Sequence, residues 1–178
     1  LAPFNIRGTD TDVILDLMIH DIDLVLYLAK APIRNIAASG VSVLSNSLDL
    51  VNARIVFNNN CVASLTASRI SDKPLRKLRV FEQNRYLSFN LQKNTYSEYL
   101  VQNIKKNQKI KQLVFEKDNK AVTMQQYDGE KTNALYEELL SFIASITKSQ
   151  KVMVSATVGK NALEVALLIQ EQINAKQK

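Results

Sequence analysis

From Asp12 to Lys30 the chain reads DVILDLMIHDIDLVLYLAK, a run in which almost every position is apolar apart from a few ionisable groups. At about 100° per residue on a helix, the steps from Asp16 to His20 and from His20 to Asp23 place all three on one narrow stripe. Asp12 and Tyr27 extend that stripe by a turn at either end. The helix is expected to start at Asp10–Asp12, with Thr11 or Asp10 as cap, and to end before Pro32. A strand-rich middle follows. Residues 36–44 read as a strand, and 53–57 and 61–70 as a hairpin around Asn58-Asn59-Asn60, because Asn tolerates the positive φ of a tight turn. Residues 77–82 and 85–92 alternate around a turn at Gln83-Asn84, and period-two patterns recur near 95–101, 111–117 and 121–126.

Two helices close the chain. Thr132 or Asn133 can cap the first, whose apolar positions Leu135, Leu139, Phe142, Ile143 and Ile146 have helical spacing. Ser155 can cap the second, with Val158, Ala162, Val165, Ile169 and Ile173 as its buried face. Strands in hairpin-like succession between helices predict an α+β domain, with a largely antiparallel open sheet and helices packed on one face. The 178 residues show no internal repeat, low-complexity stretch or linker, so residues 1–178 read as one domain.

The stripe is the chemical clue. Ionisable groups among Val, Ile, Leu and Met need a partner, a ligand or a cleft. His20 is the one histidine in the sequence. Three readings fit it: a core histidine satisfied by a carboxylate, a metal ligand set, or an acid–base dyad in which a carboxylate orients the imidazole. Against the metal stand the absence of a second histidine and the position of Cys61 in a different element, so no metal is expected.

Composition narrows the classes. A hydrophobic fraction of 46% and a charged fraction of 22% are those of an ordinary globular domain. No apolar run approaches the roughly 20 residues of a membrane span, so no membrane role is expected. One cysteine permits no internal disulfide and fits a reducing compartment, here the cytoplasm. The net charge of +6 is concentrated in 69–85 and 93–120. Basic strands could meet an anionic ligand, but they read more readily as solvated sheet faces and edge-strand lysines that discourage aggregation. With no RNP-like, zinc-finger or helix-turn-helix pattern, no nucleic-acid partner is expected. There is also no G-x-G-x-x-G, P-loop or G-x-S-x-G. The chain opens on Leu1 and reads as a piece of a longer protein.

The string Asp16-Leu17-Met18-Ile19-His20-Asp21-Ile22-Asp23 resembles the D-x-G-x-H-x-x-D element that opens the C-terminal domain of Gfo/Idh/MocA oxidoreductases. The Ala67-Ser68-Arg69 strand ending resembles that family too, as does the closing helix, with Gly159 followed by Ala162-Leu163-Glu164-Val165. The resemblance implies a glyceraldehyde-3-phosphate dehydrogenase-like C-terminal domain in an NAD(P)-dependent sugar or cyclitol dehydrogenase. Asp16 and His20 then match the residues that contact the reacting hydroxyl, and Asp23 the carboxylate that orients the histidine. Met18 replaces the family's usual glycine, which implies a reshaped pocket, and Met18 and Arg69 are expected on the substrate side. The wording LDLMIHDIDL is most similar to the branch acting on UDP-linked N-acetylhexosamines.

The family's Rossmann domain, which would hold most of the NAD or NADP, has no counterpart in this sequence, so the piece alone is expected to be inactive. The partners implied are a sugar or nucleotide-sugar substrate and further copies of the chain, in a homodimer or homotetramer formed through the sheet face. The alternative is a non-catalytic oligomerisation or anionic-ligand-binding module.

Overall fold

The structure, a computed structural model, describes residues 1–4, 11–105, 111–130, 132–148, 150–152 and 154–176. A π-helical turn, Ile14–Met18, leads directly into α1 (Ile19–Ala29). Eight strands follow: β1 (Ile33–Val41), β2 (Leu50–Phe57), β3 (Val62–Ser68), β4 (Lys77–Phe81), β5 (Arg85–Asn90), β6 (Thr95–Asn103), β7 (Leu113–Lys117) and β8 (Lys120–Asp128). Helices α2 (Ala134–Thr147) and α3 (Ala156–Lys176) close the chain. Every strand pairing is antiparallel. The protein is thus the expected α+β fold, but the strands divide between two sheets instead of one. β1-β2-β3 form the first, and β4-β5-β6-β8-β7 the second. The chain accordingly comprises two compact units, residues 1–74 with 141–178, and residues 75–140.

The main core lies in the first unit. Alternation in β2 turns Val51, Ala53, Ile55 and Phe57 inward. They meet Ile14, Met18 and Ile22 from the π turn and α1, and Ala162, Val165, Ala166, Ile169 and Ile173 from α3. Val158, expected on that buried face of α3, is 37% exposed at the first turn of the helix. Gly40 of β1 lies where a Cβ would come within 3.0 Å of Val51 and 3.2 Å of Ile173, so its missing side chain lets strand and helix approach. Along the outer edge of β1, Gln172 Nε2 donates to the Ile36 carbonyl (2.7 Å) and Lys176 Nζ to that of Ala38 (3.1 Å). The asparagine turn between β2 and β3 forms as expected, with Asn60 at φ 65°. Asn59 uses its amide to cap the end of α1 at Ala29 O (2.9 Å).

In the second unit the hairpin signals also hold. Asp118 and Asn119, both at positive φ, make the two-residue turn from β7 to β8. Stacked aromatic rows cross the sheet. Phe81, Tyr86 and Tyr99 form one, and Phe89, Tyr96 and Tyr127 the other. Strand alternation puts Tyr86 and Phe89 on opposite faces, so each face carries one row. Arg85 Nε reaches Glu98 Oε1 at 2.6 Å beside the second row. Helix α2 has the predicted apolar spacing, and Asn133 Oδ1 accepts from Tyr136 N at its start (3.3 Å). Even so, none of its described residues is buried; Leu135 is 65% exposed and Ile146 66%.

Gly40→Val should lower stability by about 1–3 kcal/mol, the usual cost of overpacking a filled core. Urea titration should show this as a lower midpoint with an unchanged slope. An unchanged midpoint would mean that β1 and α3 have room to part.

Candidate active site

Asp12 begins the site, though not as part of the stripe. It is only 6% exposed. Its Oδ1 accepts from Ile14 N (2.9 Å) and Leu15 N (3.1 Å), the bonding of a helix N-cap. Its other oxygen accepts from Gln170 Nε2 of α3 (2.5 Å). The cap is therefore Asp12, not Thr11; Asp10 lies outside the described residues. The turn that follows is wound wide, with Ile19 N donating to Ile14 O, five residues back. Such π turns recur at functional sites, where an extra residue re-aims neighbouring side chains.

Past this turn the expected stripe is present on the surface. Asp16 and His20 are exposed, Asp23 is half-buried, and Tyr27 ends the row at 71% exposure. Among the described residues no side-chain hydrogen bond or ion pair joins Asp16, His20 and Asp23, and no group of three or more His, Cys, Asp or Glu side chains is placed to hold a metal ion. A buried histidine satisfied by the core is therefore not what the fold contains. The imidazole stands in the open, about one helical turn from a carboxylate on either side. Such a group can take a proton from a bound hydroxyl and return it.

Met18 and Arg69, the two residues expected on the substrate side, are both buried. Met18 is fully buried in the core, because the inward face of the π turn falls on it. Arg69 is 5% exposed, and its guanidinium donates to Thr11 O and lies 3.6 Å from Asp49 Oδ1. Both side chains are turned into the first unit.

Arg69 leads to a residue that reasoning from the sequence missed. Asp49 is fully buried between β1 and β2. Its Oδ2 accepts from the backbone N–H of Val43 (2.7 Å), Leu44 (2.7 Å) and Ser45 (3.0 Å), and its Oδ1 from Ser45 Oγ (2.7 Å). Burial pushes its pKa up, but the Ser45 hydroxyl and the three N–H groups outweigh that and hold the carboxyl at about 2. The signal that flagged His20, an ionisable group set among apolar neighbours, was present in Ser47-Leu48-Asp49-Leu50-Val51 as well.

The glycines among the described residues stand apart from one another. Gly40 is inside β1 and Gly159 inside α3. Gly129 follows β8 as a lone glycine, and the Asn94 side chain crowds the place a Cβ would take. Gly8 is outside the described residues.

Comparison with known proteins finds this antiparallel α+β arrangement in a described family. Residues 4–86 match the GFO/IDH/MocA C-terminal domain. The chain is 33% identical over 180 residues to UDP-N-acetylglucosamine 3-dehydrogenase of Acidithiobacillus ferrooxidans, covering 98% of this chain and 53% of that protein. A solved structure of that enzyme superposes with a TM-score of 0.82, covering 98% of this chain and 51% of that one. An oxidoreductase domain protein from Kribbella flavida shares the fold at 12% identity and a TM-score of 0.72, over 98% and 52% of the two chains. The chain carries, over residues 4–86, the C-terminal domain signature of the Gfo/Idh/MocA oxidoreductases. It spans about half the length of the relatives it matches.

The depressed pKa of Asp49 has a consequence in acid. Its folded value lies near 2 against an ordinary 3.8. The charged carboxylate therefore contributes stability that is fully present above about pH 4 and is lost as pH falls from there towards 2. Asp49→Asn should be less stable than the parent at pH 7 and should lose less of its remaining stability over that acid window. Denaturant midpoints between pH 2 and 7 measure it; parallel curves for the two proteins would remove Asp49 from the acid limb.

Proposed function

We propose that this chain is the substrate domain of an NAD(P)-dependent dehydrogenase acting on a UDP-linked N-acetylhexosamine, with His20 as its general acid–base. The observation that carries the reading is the exposure of His20 on the row of Asp16 and Asp23, within a sequence one-third identical to a UDP-N-acetylglucosamine dehydrogenase along nearly its whole length. His20 takes the proton of the sugar hydroxyl being oxidised, and returns it in the reverse reaction. Asp16, one turn before it, holds the hydroxyl in reach. Asp23, one turn after it, orients the imidazole and favours the imidazolium that forms. The hydride goes to a nicotinamide, which we assign, with most of the dinucleotide, to a Rossmann domain outside residues 1–178. On this reading residues 1–178 do not turn over substrate alone.

The partner we propose is a second copy of the chain, seated on the five-stranded sheet. Its faces carry stacked aromatic rows with Phe81 73% and Phe115 57% exposed, more apolar surface than a free sheet normally shows to water. Among the described residues no helix is long and apolar enough to cross a membrane. With the exposed thiol of Cys61, that supports the cytoplasm, where a free cysteine persists.

His20→Ala in the full-length enzyme should lower turnover of UDP-N-acetylglucosamine by about 10²–10⁴-fold, the worth of a general acid–base, with dinucleotide affinity nearly unchanged. Asp23→Asn should act in the same direction and more weakly. Turnover is followed by nicotinamide reduction, and dinucleotide binding by fluorescence. Parent-like turnover in His20→Ala would leave the non-catalytic oligomerisation or anion-binding module as the better account.

A further inference from the structure

The active helix is fastened at its start more heavily than a helix needs to be. Thr11, Asp12 and Val13 precede the π turn, and each is tied to a different part of the first unit. The Thr11 carbonyl accepts from the Arg69 guanidinium and from Ser47 Oγ (3.5 Å). The Val13 N–H donates to Leu48 O (3.0 Å). The Asp12 carboxylate caps the helix and takes the amide of Gln170.

Two of these anchors, Ser47 and Leu48, belong to the loop that folds around Asp49. Arg69 is placed by the same residue, through the ion pair and through its own backbone N–H, which donates to Asp49 O (2.9 Å). A buried ion pair is weak evidence of stability, because desolvation offsets most of its attraction. Its strength is in direction: the carboxylate has partners on both oxygens, and so its orientation and that of Arg69 are fixed.

From this we infer that Asp49 and Arg69 are positioning residues for the proton-transfer row, setting the angle at which the π turn presents Asp16 and His20. The inference rests on the acid–base reading of His20. Rotation of a helix about its axis is decided in its first turn, because every later residue follows from the hydrogen-bond ladder. The Thr11 carbonyl and the Asp12 cap lie one turn before Asp16 and two before His20. When Arg69 lets go of Thr11, the row turns as a body. A misplacement of about 1 Å at the reacting atoms is worth roughly a hundredfold in rate.

The test compares Arg69→Lys, Arg69→Ala, Asp49→Asn and Gln170→Leu in the full-length enzyme. Circular dichroism establishes that each is folded at the assay temperature. Turnover of UDP-N-acetylglucosamine is read as kcat and KM separately, and the His20 imidazole by NMR, its resonance assigned by loss in His20→Gln. Lysine keeps the charge of Arg69 but cannot hold Asp49 and Thr11 together, so Arg69→Lys should lose about 10–100-fold in kcat, as supporting residues of a site commonly do. KM for the dinucleotide should stay unchanged, and the His20 resonance should shift or broaden. Millimolar guanidinium should restore part of the kcat of Arg69→Ala.

Gln170→Leu removes only the outer anchor of Asp12 and leaves the buried pair intact. It should show a smaller effect of the same kind, and it serves as the test if the Asp49 and Arg69 variants do not fold. Folded variants with kcat within twofold of the parent and an unmoved His20 resonance would overturn the inference. If His20→Gln itself keeps full turnover, it is the acid–base reading that fails. The imidazole resonance in the Arg69 and Gln170 variants then still decides whether Arg69 sets the position of His20.

Discussion

The first unit depends on one buried carboxylate. Asp49 sits at the start of β2 with no exposure to water, and an anion there is tolerated only when its oxygens are satisfied. The chain meets that demand by folding residues 43–45 back so that three consecutive N–H groups converge on one oxygen. The other oxygen takes the Ser45 hydroxyl and faces Arg69 at the end of β3. From that centre the geometry spreads outward to the loop between β1 and β2, and to the approach to the π turn. An apolar side chain of similar size would fill the space, but it would leave three N–H groups without an acceptor and Arg69 without its counter-charge.

The apolar surfaces left open tell a complementary story. The core joining the π turn, α1, β2 and α3 is closed, with Phe57, Ile55, Ile169 and Ile173 almost wholly out of water. The five-stranded sheet and α2 are not. Their residues have the periodicity of buried elements, which is why they form regular strands and a regular helix, yet they remain exposed in a single chain. Sequence pattern encodes what an element will eventually touch. It does not encode whether the contact comes from the same unit of the same chain.

That distinction explains what could be read from the sequence. The β2–β3 hairpin was legible from alternation and from the asparagines that accept positive φ, and the three helices from apolar periodicity. The Asp16–His20–Asp23 row was legible because ionisable groups in an apolar run need a reason. Three things were not. The division into two sheets was hidden because alternation repeats alike in every strand and carries no record of which strands pair. The π turn was hidden because its extra residue per turn leaves no mark in composition. It is what separates Asp12, turned inward as a cap, from Asp16, turned outward. The inward turn of Met18 and Arg69 was not legible either, because a motif in sequence does not fix which way a side chain points. Arg69 is drawn inward by Asp49, more than a strand's length earlier in the chain.

The two side chains that α3 lays along β1 have a meaning apart from the Asp16–His20–Asp23 row. β1 is the outer strand of its sheet, and an outer strand presents carbonyls that a foreign strand could use as a template. Gln172 and Lys176 occupy two of them, at Ile36 and Ala38. The last turn of the helix thus works as a guard against polymerisation, and the lysine adds a charge that would have to be buried by any intruder. A chain cut short before Gln172 would retain most of its core and the Asp16–His20–Asp23 row, and would lose the protection that keeps this edge from seeding β-aggregates.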